Sequence, residues 1–90
     1  MVRRSRLEIY FEVLEVIARG IDKPTRVMYK TNLSWNTLQD IFETLRNGSF
    51  ISEVENMGAR RYYITEKGRN ALNYHLKSLN GLIKVESVSS

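Results

Sequence analysis

The chain has 90 residues with no cysteine, one histidine and one proline. Without cysteine it has no disulfides, no CxxC redox motif and no thiolate metal site, which fits a reducing compartment. No apolar run reaches the roughly 18 residues of a membrane span. The N-terminal residues lead into an amphipathic segment and not into the core of a signal peptide. We therefore expect a cytoplasmic protein without a membrane partner.

The residue patterns typical of enzyme active sites are also missing. The sequence has no glycine-rich phosphate loop and no close pair of carboxylates in an apolar setting. Its single histidine, His75, falls on a predicted helix surface, where histidines usually have no catalytic role. We expect no catalytic residues, no metal site and no cofactor, and therefore no enzyme.

The length and the charge of the chain narrow the possibilities further. Ninety residues form one domain with one small core, near the size at which a second subunit often adds stability. Fourteen Lys and Arg against ten Asp and Glu give a formal net charge of +4, and the sequence pI is about 9.6. This modest basic excess suits nucleic acid or another anionic surface.

The segment 50–68 predicts a two-stranded hairpin, because β-branched and aromatic residues flank a turn at residues 56–59. We call this hairpin the wing. Gly58 can take the positive φ of a tight reversal, and Arg60 and Arg61 follow at once, so the tip would favour a polyanion. The alternative is a hairpin that only completes the core. By the strand period of two, one face carries Tyr62 and Ile64 and the other carries Arg61 and Tyr63.

Apolar residues at three- and four-residue spacing predict helices before the wing. Ser5 and Glu8 have the spacing of a capping box, so the first helix begins there and ends at Gly20. A short second helix over 26–31 follows the only proline, with Asn32 as a left-handed closing residue. Residues 1–6 form a basic arm, either a solvated tail or a segment that lies along DNA.

Ser34 caps a third helix that runs over 35–47 and ends at Gly48. Two helices joined by a tight turn make a helix-turn-helix, in which the second helix recognises the partner. Trp35 could stack on a sugar or a thymine methyl, but its place in the apolar stripe favours the core. The predicted buried stripe of this helix consists of Trp35, Leu38, Ile41, Phe42 and Leu45.

Thr65 caps a fourth helix over 66–83, and residues 84–90 form a tail without periodicity that we expect to be disordered. The helix carries apolar residues at alternating intervals of four and three, the spacing of a coiled-coil seam. It could pair with a second copy of the chain or pack on its own domain. The predicted homodimer interface consists of Leu72, Leu76, Leu79, Leu82 and Ile83.

The run YYITEKG at 62–68, the run KPTRVMYKTNLS at 23–34 and the order of the elements carry a resemblance. The chain resembles the small archaeal winged helix-turn-helix proteins of the Sso10a and ArnR1-like type over about residues 5–83. The resemblance implies a mainly α domain with a small antiparallel hairpin, over residues 7–83. It also implies a final helix that dimerises and a nucleoid-associated DNA-binding protein.

We therefore expect a transcriptional regulator or chromatin-associated protein that binds double-stranded DNA. Helix 34–47 would enter the major groove, where Asn36 and Gln39 suit contacts with adenine, and the wing at 56–61 would lie on phosphates or the minor groove. The rival is a winged-helix module that binds another protein, which Asp40 and Glu43 favour because phosphates would repel them. The predicted DNA-binding residues are Arg26, Lys30, Ser34, Asn36, Thr37, Gln39, Asp40, Arg60, Arg61 and Tyr63.

Overall fold

The computed structural model describes the backbone of residues 4–89 and the side chains of residues 4–78. It confirms the expected class, four helices with one two-stranded antiparallel hairpin. Among the helices of this part of the chain, none combines the length and hydropathy that a membrane span requires. The elements are α1 (Arg6–Ala18), α2 (Pro24–Thr31), α3 (Trp35–Asn47), β1 (Ile51–Asn56), β2 (Ala59–Ile64) and α4 (Glu66–Ser89).

Side-chain caps fix the starts of three helices, as the sequence predicted. The Ser5 hydroxyl accepts a hydrogen bond from the Glu8 N–H at 3.1 Å, and the Ser34 hydroxyl accepts one from the Thr37 N–H at 3.2 Å. At α4, Thr65 Oγ1 accepts from the Gly68 N–H at 3.0 Å. Each cap satisfies a backbone donor that the helix itself leaves free.

The ends of two helices differ from the prediction. Helix α2 begins at Pro24, two residues before the expected start, because proline is well suited to a first helical turn that needs no N–H donor. Helix α4 continues to Ser89, past its predicted end at residue 83. No glycine or proline lies between 82 and 89 to stop the helix.

The core lies between α1, α2, α3 and the inner face of the wing. Phe42 of α3 and Tyr62 of β2 stack with ring centroids 4.0 Å apart. Trp35 was expected in this core, but it is 45% exposed because it is the first residue of α3 and lies at the rim, one turn before Leu38. The buried cluster consists of Val13, Leu14, Ile17, Val27, Leu38, Ile41, Phe42, Leu45, Ile51 and Tyr62.

The wing is held at its base on three sides. The Tyr62 N–H donates to the Asp22 carbonyl at 3.0 Å, in the loop before α2. The Thr65 N–H donates to the Phe50 carbonyl at 3.1 Å, which closes the base of the hairpin. Gly68, in the first turn of α4, is buried so closely on Phe50 that a Cβ would overlap the Phe50 carbonyl oxygen. These contacts fix the direction in which the wing leaves the domain.

Helix α4 returns to pack on α1. His75 is half-buried there and its ring stacks on Phe11, with centroids 3.9 Å apart and planes 3° from parallel. The sequence predicted an open surface position for this histidine. The structure shows instead that it is part of the junction between the first and last helices.

Candidate nucleic-acid interface

The outward face of α3 is polar and carries four of the ten predicted DNA-binding residues, and a fifth, Ser34, caps the helix. Asn36 and Asp40 are exposed, whereas Thr37 and Gln39 are half-buried. The Ser34 hydroxyl donates to Thr37 Oγ1 at 2.9 Å, so these two hydroxyls bond to each other at the start of the helix. At the start of this face, Asn36 therefore presents an exposed amide and Gln39 a half-buried one.

The basic residues at the start of α1 lie against their own domain. Arg6 approaches Asp40, with Nη2 and Oδ2 3.9 Å apart, which partly offsets the negative charge on α3. Arg4 Nη1 donates to Glu12 Oε2 at 2.7 Å and to the Thr31 carbonyl at 3.0 Å. These two arginines of the predicted arm thus contact protein groups, while residues 1–3 lie outside the described residues.

A charged cluster joins α3 to the wing, and we call it the Glu53 cluster; it consists of Arg46, Glu53, Arg60 and Tyr62. Glu53 Oε1 accepts a 2.6 Å hydrogen bond from the Tyr62 hydroxyl. Glu53 Oε2 accepts from Arg46 Nη1 at 3.0 Å, and Arg60 Nη1 lies 3.8 Å from Oε1. One carboxylate therefore orients a guanidinium from α3 and another from the wing. Neither Glu53 nor Arg46 was among the functional residues predicted from the sequence, although their opposite charges were a usable signal.

Contacts within the Glu53 cluster and burial shift the pKa values of Glu53 and Tyr62 in opposite directions. The hydrogen bond from Tyr62 holds the pKa of Glu53 below its ordinary value, and Arg46 and Arg60 act in the same direction. Burial raises the pKa of Tyr62 to about 12, and the hydrogen bond to Glu53 adds to this shift. Glu53 is therefore a carboxylate and Tyr62 a neutral phenol near pH 7, so the hydrogen bond between them is charge-assisted.

A recess of about 170 Å³ opens between α3 and the wing. Gln39 and Glu43 line it from α3, and Arg60 lines it from the wing. Its lining combines one amide, three carboxylates and two guanidiniums with the rings of Phe42 and Tyr62. Such a lining suits hydrogen bonding to a polar edge more than binding of an apolar small molecule.

The other two predicted wing residues lie on the outer face of β2. Arg61 Nη1 donates to the Arg60 carbonyl at 3.0 Å. Tyr63 is 45% exposed, and its hydroxyl lies 3.4 Å from Asp22 Oδ2. Arg61 forms no salt bridge with an acidic group among residues 4–78. Its charge is thus available to an anionic partner.

Helix α2 contributes a second basic surface. Arg26 and Lys30 are exposed, and neither forms a salt bridge within residues 4–78. Together with Ile21 and Tyr29 they line a shallow depression of about 300 Å³. Tyr29 is 79% exposed and was missed in the sequence. Its spacing of three residues from Arg26 places both on one helix face, which was a signal for a joint surface.

The predicted dimer residues of α4 differ in how much of their surface the single chain leaves exposed. Leu72 is only 6% exposed within the single chain, so little of it remains for a partner. Leu76 is 38% exposed and the neighbouring Tyr74 is 76% exposed. Leu79, Leu82 and Ile83 lie outside the residues whose side chains are described.

Among the residues that the structure describes, no three His, Asp or Glu side chains come together as a possible metal site. The buried side-chain nitrogen and oxygen atoms of this part of the chain all have a hydrogen-bond partner. Buried Thr31, for example, donates from Oγ1 to the Val27 carbonyl at 2.7 Å.

Comparison with known proteins agrees with this geometry. The family model described as winged helix-turn-helix matches residues 3–86. The chain belongs to the winged helix-turn-helix family. Among sequence relatives, the uncharacterized protein MJ0287 of Methanocaldococcus jannaschii is 31% identical over 67 residues, which cover 74% of this chain and 65% of MJ0287.

Two solved structures show the same winged-helix fold. Sso10a-2, a DNA-binding protein from Sulfolobus solfataricus, superposes with a TM-score of 0.70 at 23% identity, over 93% of this chain and 90% of its own. FabT from Streptococcus pneumoniae, solved in complex with DNA, superposes with a TM-score of 0.72 at 19% identity. The match covers 91% of this chain and 63% of FabT. At these identities the likeness concerns the fold.

Proposed function

We propose that this winged-helix protein binds double-stranded DNA, as a transcriptional regulator or a chromatin-associated protein. The observation that carries the proposal is the distribution of free cations around α3. Arg26 and Lys30 on the preceding helix and Arg61 on the following wing have no acidic partner within residues 4–78. The outward face of α3 between them offers amides. Cations that hold phosphates and amides that contact bases are the two components of DNA recognition.

In this proposal α3 enters the major groove. Its 13 residues span roughly 20 Å, and the groove admits a helix. Asn36 and Gln39 suit bidentate contacts with adenine, and Ser34 and Thr37 lie at the same end of the helix. Asp40 and Glu43 would be repelled by phosphates, so α3 has to point its face at base edges and leave the backbone to α2 and the wing.

The decisive experiment is a salt titration of binding to random duplex DNA. Arg60→Ala with Arg61→Ala should weaken binding to all sequences and reduce the slope of log K against log salt by about 0.9 for each lost phosphate contact. The matched control, Arg69→Ala with Lys77→Ala, removes the same charge from exposed positions of α4. An unchanged slope in the folded wing variant would exclude the wing from the interface, and an equal change in the control would show that the slope reports net charge and not wing contacts.

Discrimination between sequences tests α3 separately. Asn36→Ala with Gln39→Ala should weaken binding to a selected site more than binding to random DNA, since a bidentate base contact contributes about 1–3 kcal/mol of discrimination. Equal weakening of both would show that these amides do not contact bases. If the wild-type chain binds no duplex at low salt, the result would favour the rival role as a protein-binding module. Asp40 and Glu43 on α3 are the residues that fit this role.

We also propose that the protein acts as a homodimer through α4. Leu76 and Tyr74 expose apolar surface on this helix, and a small domain gains from covering such surface. A dimer would bring two wings and two copies of α3 to one duplex and raise affinity through effective concentration. Leu76→Glu should yield a monomer by light scattering with about tenfold weaker DNA binding. Asn73→Glu, at an exposed neighbour, is the control, and a monomeric wild type would contradict the proposal.

A further inference from the structure

The tip of the wing carries an unusual residue for its position. Met57 and Gly58 form the two-residue turn between β1 and β2, with φ of 52° and 80°. Positive φ at both central positions marks a type I′ turn, which favours asparagine, aspartate or glycine. A methionine in the left-handed region is strained, so the requirements of the turn do not explain it.

The apolar side chain of Met57 does not pack against the domain, because this residue is 98% exposed. Its neighbours across the turn, Asn56 and Ala59, are paired in regular antiparallel register. The predicted basic tip is therefore apolar at its end, and Arg60 and Arg61 lie behind it along β2.

The register of the wing sets how far its tip extends from the core. Tyr62, paired with Glu53, is buried in the core, and Met57 lies four positions beyond Glu53 along the chain. At about 3.3 Å per residue, the tip extends roughly 13 Å beyond the core. A minor groove about 6 Å wide and 7.5 Å deep is too narrow for the whole hairpin but admits a side chain at its end.

We propose that Met57 is an apolar wedge that enters the minor groove and partly unstacks one base step. The proposal rests on the DNA binding proposed above and adds what the wing tip does. Methionine is among the side chains that act as minor-groove wedges, and its unbranched chain is flexible enough to slide between bases. Arg60 and Arg61, behind the tip, would hold the flanking phosphates.

This mechanism has a consequence for site preference. Pyrimidine–purine steps such as TA unstack and kink easily, whereas A-tracts are stiff. The chain should therefore prefer a duplex with a central TA step over one with an A-tract, although no base edge is contacted by Met57. The wedge would bend the bound DNA away from the wing.

The test uses a substitution that should stabilise the turn but removes the proposed apolar wedge. Met57→Asn places a residue that favours the type I′ turn, so the folded chain should be at least as stable to heat as the wild type. Met57→Leu keeps an apolar wedge and is the matched control. Bending is measured by energy transfer between end-labelled duplexes, and unstacking by the fluorescence of 2-aminopurine placed at the TA step.

We expect the wild type and Met57→Leu to bend the TA duplex, to raise 2-aminopurine fluorescence and to prefer this duplex over the A-tract by about tenfold. Met57→Asn should lose all three effects and keep its affinity for the A-tract within about twofold. If Met57→Asn binds and bends like the wild type, or if the wild type binds DNA without bending it, the wedge is refuted and the proposed function stands. A wild type that binds no duplex refutes both.

Discussion

The base and the tip of the wing belong to one hairpin of two six-residue strands, yet they differ in how far their side chains are buried. At the base, Ile51 and Tyr62 are buried. Toward the tip, Glu55, Asn56, Met57 and Gly58 are all exposed. Contacts thus fix the direction of the hairpin, while its outer half is left free for a partner.

The Glu53 cluster lies at the boundary between these two halves. Its carboxylate accepts hydrogen bonds from Tyr62 and from Arg46 of α3, and it forms an ion pair with Arg60 toward the tip. A movement of the wing would therefore change the position of a cation on α3 as well. This coupling would keep the wing and α3 in one arrangement before any partner binds, which reduces the ordering cost of binding.

The largest expected effect on stability is that of Gly68→Ala at the base. A Cβ there would overlap the Phe50 carbonyl oxygen and lie 2.8 Å from Ile64 Cγ1. Alanine favours a helix by about 1 kcal/mol over glycine, but overpacking against backbone costs more. We expect a net loss of about 2 kcal/mol in the free energy of unfolding, measured by urea denaturation. Asn70→Ala, at an exposed position of the same helix, should cause no loss.

A smaller effect is expected from Tyr62→Phe at the boundary. The ring stack on Phe42 is kept, but the hydrogen bond to Glu53 is lost, which should cost about 1.5 kcal/mol of unfolding free energy. The same change should raise the pKa of Glu53 toward its ordinary value, as measured by carboxyl NMR titration. A pKa of Glu53 that does not move would show that the two arginines and not Tyr62 set it.

The pH dependence of stability follows from the same shift. Since the pKa of folded Glu53 lies below its unfolded value of about 4.5, its contribution is complete above pH 4.5 and is lost as the pH falls through the folded value. Acid should therefore destabilise the wild type more than Tyr62→Phe. For Tyr62 the sign is reversed, because a folded pKa of about 12 is above the unfolded value of 10.0 and its contribution is lost as the pH rises between them.

The sequence predicted the fold well because its signals are local. Caps at Ser5, Ser34 and Thr65 and the left-handed Asn32 depend on neighbours a few residues away, and all four are as expected. Trp35 was assigned to the core wrongly, because a periodic stripe does not reveal where the core ends.

The least predictable features join residues far apart in the chain. The Glu53 cluster links α3 to both strands, and the stack of His75 on Phe11 links the two outermost helices. Such contacts depend on how the elements pack, which periodicity does not specify. The predicted DNA-binding residues remain a prediction, since their roles depend on a partner that the chain alone does not contain.

The smallest expected effect is that of Gly58→Ala at the tip. The substitution is the same as at Gly68, but its cost has a different physical cause. Gly58 has a φ of 80°, and no atom lies within 4 Å of the position its Cβ would take. The cost is therefore conformational only, about 1 kcal/mol for a left-handed alanine. Asparagine tolerates this conformation, so Gly58→Asn should recover most of the loss in urea denaturation. Gly68→Asn should recover nothing, because its larger side chain meets the same Phe50 carbonyl. Equal behaviour of asparagine at the two positions would show that the base of the wing is not close-packed and that its direction is not fixed by the fold.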